Sequence, residues 1–487
     1  MRDYDYIIIG GGSAGCLLAR RLVQANCGTV ALIEAGDATA NTEAANARAD
    51  VRTVVPAYYP KTFGSHLDWA FSTEPQAGLN GRRIAWPRGK TLGGSGAINA
   101  MIYLQAAASD FDRWSLAGCR GWDWRTMEQF LLPIATAPSQ CPLADLQIAS
   151  LAEPHPWSLA FIHACTSLGM QQPANWWQAR ANTCGLYTLT QCAGRRQHTG
   201  QQLAEMLPNT NFDLFRGSTI RNLKLQGDRV EKVCLMDRSG HSIELRASGE
   251  VILCAGTIGS PTILLRSGIG PAAALHQLGV GVQLDLPGVG ENLQDHLVYP
   301  LIYRTHAGHG LPAKFSVADR RRYRQPAPGA THGPLASNIA EAGAMFITSH
   351  ARLQPGVSNA GEPVHSASVS PEFQIHFTPT HYLKYPSRTA PPDCFSLAVT
   401  DLHPRSRGRV QLVSSNPDAS PRIDPGYLNH TEDIPRMLDA IEYCRHIANQ
   451  TSLSILIADE ILPSRKRITA ASLLRSLQMF AQSIYHP

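Results

Sequence analysis

No run in this 487-residue chain approaches the roughly 18 or more consecutive apolar residues of a membrane span, so no transmembrane segment is predicted. No CxxC pair occurs, and the eleven cysteines are odd in number and irregular in spacing. That argues against a structural zinc site or a disulfide framework, and it fits a reducing compartment. Charge of one sign is scarce too: the net +5 is small for this length. The basic run Arg320-Arg321-Arg322 reads as a solvated surface loop, and no nucleic-acid partner is expected. The opening MRDYDYIIIGGG has no basic stretch, long apolar region or small-residue cleavage site. No signal peptide is expected there, and the protein is expected to be cytoplasmic. No repeat of fixed period is visible.

What is present is an ordinary globular balance, 44% hydrophobic and 17% charged, over a length that one core rarely serves. Residues 4–9 form a short apolar run, residues 13–25 read as a helix, and residues 29–34 (TVALIE) as a second buried strand. Between strand and helix stands Gly10-x-Gly12-Ser13-x-Gly15. Its first glycine permits the tight turn, its second a close backbone approach to a pyrophosphate, and its third close packing of helix on strand. Glu34 ends the second strand, where a carboxylate can accept from ribose hydroxyls and disfavours the extra phosphate of NADP. The unit predicts a dinucleotide and leaves NAD and FAD open.

Residues 87–112 read PRGKTLGGSGAINAMIYLQAAASDFD. Four glycines in eight positions, Gly89, Gly93, Gly94 and Gly96, suit backbone that must lie against a planar or charged ligand. Arg88, Leu92 and Asn99 share the stretch, and Asn99 is suited to bond a ring edge. Further on, PEFQIHFTP (371–379) alternates as a strand, and residues 431–447 and 470–483 have helical periodicity.

Residues 89–99 match, position by position, the signature Gly-Lys-x-Leu-Gly-Gly-Ser-x-x-Ile-Asn of the glucose-methanol-choline (GMC) family of flavin oxidoreductases, and the chain resembles that family throughout. GTIGSPTILLRSGIG (256–270) is similar to its second signature. LPGVGENLQDH (286–296), GRR (194–196), GPLASNIAEAGAMF (333–346) and HPRSRGRVQL (403–412) also look like the family.

The resemblance implies an α/β, Rossmann-like FAD-binding domain from residues 1–150 and 205–300. It also implies an α+β substrate domain with an antiparallel sheet from 151–204 and 301–487. Gly93, Gly94 and Asn99 would lie along the isoalloxazine, Ile220 by the adenine, and Asn292 and Asp295 near the flavin and its phosphates. Ala255 and Gly256, at the start of the second signature, would also touch the cofactor. Some members attach FAD through a histidine just before the signature's asparagine. Ile98 stands there and has no nucleophilic atom, so non-covalent FAD is expected.

The ending Gln482-Ser483-Ile484-Tyr485-His486-Pro487 resembles the family's Tyr-His-Pro segment, whose histidine is the catalytic base. His486 holds that place, and an imidazole with an ordinary pKa of about 6.5 suits removal of a hydroxyl proton near neutrality. The family's pattern continues beyond this point, so the chain is expected to lack the C-terminal part of the FAD domain. The implied activity is oxidation of a small alcohol to an aldehyde or ketone, with hydride passing to flavin N5 and on to oxygen, a quinone or another acceptor. The alternatives are a catalytically impaired flavin-binding fragment and a hydroxynitrile-lyase-like member. Glu341 is the expected substrate contact, because choline-oxidising members place an acid there. Tyr58, Tyr59 and Tyr103 could cage a quaternary ammonium. No metal site is expected.

Overall fold

The strands expected over residues 4–9 and 29–34 form as adjacent parallel strands, β1 (Arg2–Ile9) and β2 (Val30–Glu34), joined through helix α1 (Ser13–Gln24). In the computed structural model, residues 2–36, 50–136, 146–174, 180–206, 209–306, 308–327, 329–348, 370–387, 389–466 and 469–486 are described. All five residues of β2 are buried, as befits a strand covered on both faces.

The first sheet adds β3 (Phe212–Arg216), β4 (Thr219–Gln226), β5 (Arg229–Met236) and β6 (Ser242–Leu253), in the spatial order β3-β2-β1-β6-β5-β4. Strands β3, β2, β1 and β6 run parallel, while β6, β5 and β4 form an antiparallel meander. Helix α2 (Gly256–Arg266) leaves β6 directly, so the helices after β1 and β6 start at the same carboxyl edge. Ligands bind at that edge of an open parallel sheet.

The second sheet is antiparallel and centred on Leu297–Thr305 and Cys394–Asp401. Its strands Phe373–Thr378, Ala342–Phe346 and Thr183–Leu186 follow on one side, and Ile457–Leu462 and Gln482–Ser483 pair on the other. Helices Pro156–Ser167 and Asp433–Ala448 cover it with stacked rings, Phe161 on Phe377 and Tyr443 on Phe346. The expected division at residue 300 falls inside Leu297–Thr305, a strand wholly in this second sheet.

Two local expectations are corrected. Arg320–Arg322 lie not in a loop but on the helix Val317–Arg324, which Ser316 and Asp319 cap reciprocally. The helix expected over 470–483 ends at Phe480, because Gln482 and Ser483 pair with Val298 and Leu297. Among the described residues, no helix is long and apolar enough to cross a membrane.

Candidate active site

The turn after β1 is built from positions that admit no side chain. Gly10 holds φ +106, and a Cβ there would lie 2.4 Å from the Cys254 carbonyl oxygen. On Gly15 it would lie 2.0 Å from the Gly10 oxygen. Helix α1 has Gly12 as N-cap with no side chain closing its first N–H groups, and α2 likewise begins uncapped after Ala255. Such ends hold anionic groups.

The second glycine stretch docks on the first. Gly93 N–H donates to the Gly11 oxygen at 2.8 Å, Gly12 and Gly93 form a parallel bridge, and Ser13 Oγ lies 3.5 Å from the Gly93 oxygen. Gly89 is equally confined, since a Cβ there would lie 2.1 Å from the Gly94 oxygen. Leu92 packs behind this loop with Cys16 and Leu32.

Glu34 is buried and spends one bond from each oxygen on backbone: Gly11 N–H at 2.9 Å and Gly36 N–H at 2.7 Å. Burial pushes its carboxyl up to about 7, with the two backbone bonds opposing. Each oxygen keeps a further acceptor site, which two ribose hydroxyls can fill. The cradle therefore fits a dinucleotide on its own geometry. Ile220 sits on β4 opposite Leu235, in the apolar cluster that includes Ile263 of α2.

Arg196, the last residue of the family-like GRR but given no role from sequence, fixes the flavin-signature loop. It is fully buried and donates to the Gly96 oxygen at 3.1 Å, to Asn99 Oδ1 at 2.8 Å and to the Asn99 carbonyl at 2.6 Å. Burial pushes its pKa down to about 9. Asn99 Oδ1 also accepts from Met101 N–H at 2.9 Å, so its oxygen is committed to protein. Arg88 spreads over the Trp86 ring at 4.8 Å, and burial lowers its pKa while the Asp295 carboxylate opposes. Ile98 is buried in an apolar cluster with Leu67 and Ala97.

His486 is exposed and is held by backbone. His296 N–H donates to the His486 oxygen at 3.0 Å, and Ile484 N–H donates to the His296 oxygen at 3.1 Å. The two rings stand 5.2 Å apart at 71°. His296 Nε2 lies 2.9 Å from the Leu402 oxygen, so Nε2 carries its proton and Nδ1 is left as a buried acceptor. Burial, then the neighbouring His486, pushes the His296 pKa well down. His376 is also buried, with Nδ1 3.1 Å from the Tyr187 hydroxyl and Nε2 without a protein partner. Burial, with His486 nearby, pushes its pKa down to about 3. Two neutral imidazoles thus attend His486. Alternation in FQIHFT groups His376 with Gln374 and Thr378, opposite the apolar face, so only the burial of both faces brings it inside; His296 closed the family-like run LPGVGENLQDH without a role being read for it.

Glu341 is 1% exposed, and its oxygens accept from Ser337 Oγ, Ser158 Oγ and His155 N–H, each at 2.7 Å. This geometry ties helix Pro156–Ser167 to the 337–341 turn and is not the open acidic contact expected for a cationic substrate. Tyr58 and Tyr59 share a neighbourhood: Tyr59 packs on Phe63, which packs on Tyr485, and Tyr58 packs on Phe315. Tyr103 bonds Gln105 instead.

Comparison with known proteins agrees with this layout. Two family models described as GMC oxidoreductase match residues 4–298 and 404–487. An alcohol dehydrogenase [acceptor] from Pseudomonas putida is 31% identical over 503 residues, covering 99% of this chain and 85% of that protein. An oxygen-dependent choline dehydrogenase from Ectopseudomonas mendocina is 32% identical, covering 100% and 84%. The crystal structure of pyridoxine 4-oxidase from Mesorbium loti aligns with TM-score 0.80 at 30% identity, over 99% of this chain and 87% of that one. Formate oxidase shares the fold, with TM-score 0.84 at 22% identity over 100% and 88%. With both glycine motifs joined in one cradle, the chain belongs to the GMC oxidoreductases, and the dinucleotide it binds is FAD.

Proposed function

We propose that the protein oxidises a small alcohol to an aldehyde or ketone, with His486 as the base that takes the hydroxyl proton. The observation that carries this reading is the pairing of His486 with His296, which presents an exposed imidazole beside two buried, neutral ones.

Gly10, Gly12, Ser13, Gly15 and Glu34 would hold the ADP half of FAD, with the uncapped starts of α1 and α2 facing its phosphates and Ile220 its adenine. Arg88, Gly89, Leu92, Gly93, Gly94, Asn99, Ala255 and Gly256 would border the rest, and Ile98 leaves it non-covalent. When bound, FAD supplies the acceptor for the hydride of the carbinol carbon.

The protein's own residues do the remainder. His486 accepts the hydroxyl proton and becomes charged. Because His296 and His376 are held neutral, they add no like charge beside it. Arg196 locks the loop that carries Asn99, so the cofactor's wall is fixed before substrate arrives. Oxygen, a quinone or another acceptor then takes up the electrons.

The test is anaerobic mixing of the FAD-loaded protein with primary and secondary alcohols while the flavin absorbance is followed. Bleaching is expected with at least one alcohol, and His486→Ala should slow it by about 10²–10⁴-fold. Unchanged bleaching in that variant would remove His486 from the role.

A further inference from the structure

Asp295 is 3% exposed, and its Oδ2 accepts from two hydroxyls, Ser483 Oγ at 2.6 Å and Tyr427 OH. Behind Tyr427, Trp86 Nε1–H donates to the same phenol oxygen at 2.9 Å. In front of Ser483, its Oγ accepts the Tyr485 backbone N–H at 2.7 Å. Hydrogen bonds therefore run from Trp86, beside the flavin signature, to the peptide one residue before His486. Ser483 is fully buried, and it also pairs with Leu297, next to His296.

Direction matters in this chain. A serine hydroxyl has one proton. An ionised carboxylate only accepts, so it draws that proton and leaves Ser483 Oγ free to accept from Tyr485. Tyr485 sits at φ +74, a left-handed conformation that non-glycine residues avoid. The bond from its N–H to Ser483 braces it there, beside the backbone bonds that Ile484 and His486 make with His296 and the packing of Phe63 on its ring, and the next residue is His486. The charged and titratable groups acting on Asp295 and its network are Arg88, Asp68, Tyr427 and Tyr485, with Tyr59 and Tyr382 beside Tyr485. Burial pushes the Asp295 carboxyl up to about 7, whereas Ser483, Tyr427 and then Arg88 pull it back. Its Oδ1 is buried with no protein partner, a group that packing alone would not choose.

We propose that Asp295 is a positioning residue: acting through Ser483, it fixes the left-handed turn at Tyr485 and so aims the His486 imidazole. This rests on the reading of His486 as the base. It assigns Asp295 the base-bearing segment, beyond the place near the cofactor that family likeness gives it.

The experiment uses the full chain loaded with FAD and compares Ser483→Ala, Ser483→Thr, Asp295→Asn and His486→Ala. The limiting rate of anaerobic flavin reduction is measured against pH, together with KM, flavin content and Tm. Ser483→Ala and Asp295→Asn should lower the limiting rate by about 10- to 100-fold, with KM changed less than about threefold and flavin content retained. Ser483→Thr, which keeps the hydroxyl, should recover most of the rate. Both the wild type and Asp295→Asn keep the His486 base, so both rates should rise with pH as it deprotonates, and the wild type alone should carry a second titration near pH 7. Wild-type rates in Ser483→Ala, or losses that follow only flavin content, would overturn the proposal while a slow His486→Ala left the base reading standing. Should His486→Ala reduce flavin normally, both fall. Should Asp295→Asn fail to fold, the two Ser483 variants decide alone.

Discussion

Gly94 lies so close to Gly12 that a Cβ on it would stand 2.7 Å from the Gly12 Cα, and Gly94 itself holds φ +52. Both constraints act against any side chain at this contact between the two glycine motifs. Gly94→Ala should cost about 1–3 kcal/mol and leave the purified protein with little flavin. Gly281→Ala, where a Cβ would meet nothing within 4 Å, is the control and should shift stability by less than about 0.5 kcal/mol. Flavin-to-protein absorbance and thermal melts read both; equal flavin content in the two variants would refute the cradle.

Arg196 holds the flavin loop by three bonds, two of them to the backbone carbonyls of Gly96 and Asn99. Arg196→Met removes the donors and leaves the Gly96 and Asn99 carbonyls unsatisfied, while Asn99 Oδ1 keeps the Met101 N–H, an expected loss of about 2–4 kcal/mol in urea denaturation. Arg196→Lys keeps the charge but not the planar fork, so it should fall between wild type and Met. FAD release on dilution should rank the variants in the same order.

The legible parts of this protein were those whose chemistry is local. Strand, glycine turn, helix and terminal acid all fall within residues 2–34, so one short window fixes β1, α1, β2 and Glu34. The alternation of residues 373–378 likewise announced its strand. What escaped were long-range relations. Arg196 meets Asn99 across 97 positions, and Asp295 meets Ser483 across 188, distances over which no periodicity operates. Helical periodicity also ran past Phe480, because it cannot register that Gln482 and Ser483 have a strand to join. Glu341 illustrates another kind of gap. Family likeness suggested a contact for a cation, and only the three donors around it reveal how it is spent.

Glu341→Gln should therefore read as a packing defect. The amide oxygen can keep the Ser158 hydroxyl and the His155 N–H, but the amide nitrogen turned to Ser337 must use that hydroxyl as an acceptor and the charge-assisted bonds are lost, costing about 1–3 kcal/mol. The ratio of kcat/KM for choline to that for a neutral alcohol of similar size should change less than about threefold. A tenfold or larger fall in that ratio would return Glu341 to the substrate.

The buried His376 makes acid the weak side of the fold. Its pKa, ordinarily about 6.5, is pushed down to about 3, so folding favours the neutral ring. The stability this contributes is complete above pH 6.5 and is lost as pH falls toward 3, by up to about 1.4 kcal/mol per pH unit. Between pH 7 and pH 5 that amounts to about 2 kcal/mol from this ring. His296 and His198, also pushed down by burial, act in the same sense. Glu34 and Asp295, both pushed up to about 7, act oppositely and lose stability as pH rises toward 7. The net slope thus mixes signs, but the difference between wild type and His376→Asn isolates one ring, since asparagine does not titrate. Urea denaturation at pH 5, 6 and 7 should show the wild type losing about 2 kcal/mol more than the variant across that range. Parallel curves would mean that His376 is hydrated or charged in the folded protein, and the neutral surroundings assigned to His486 would go with it.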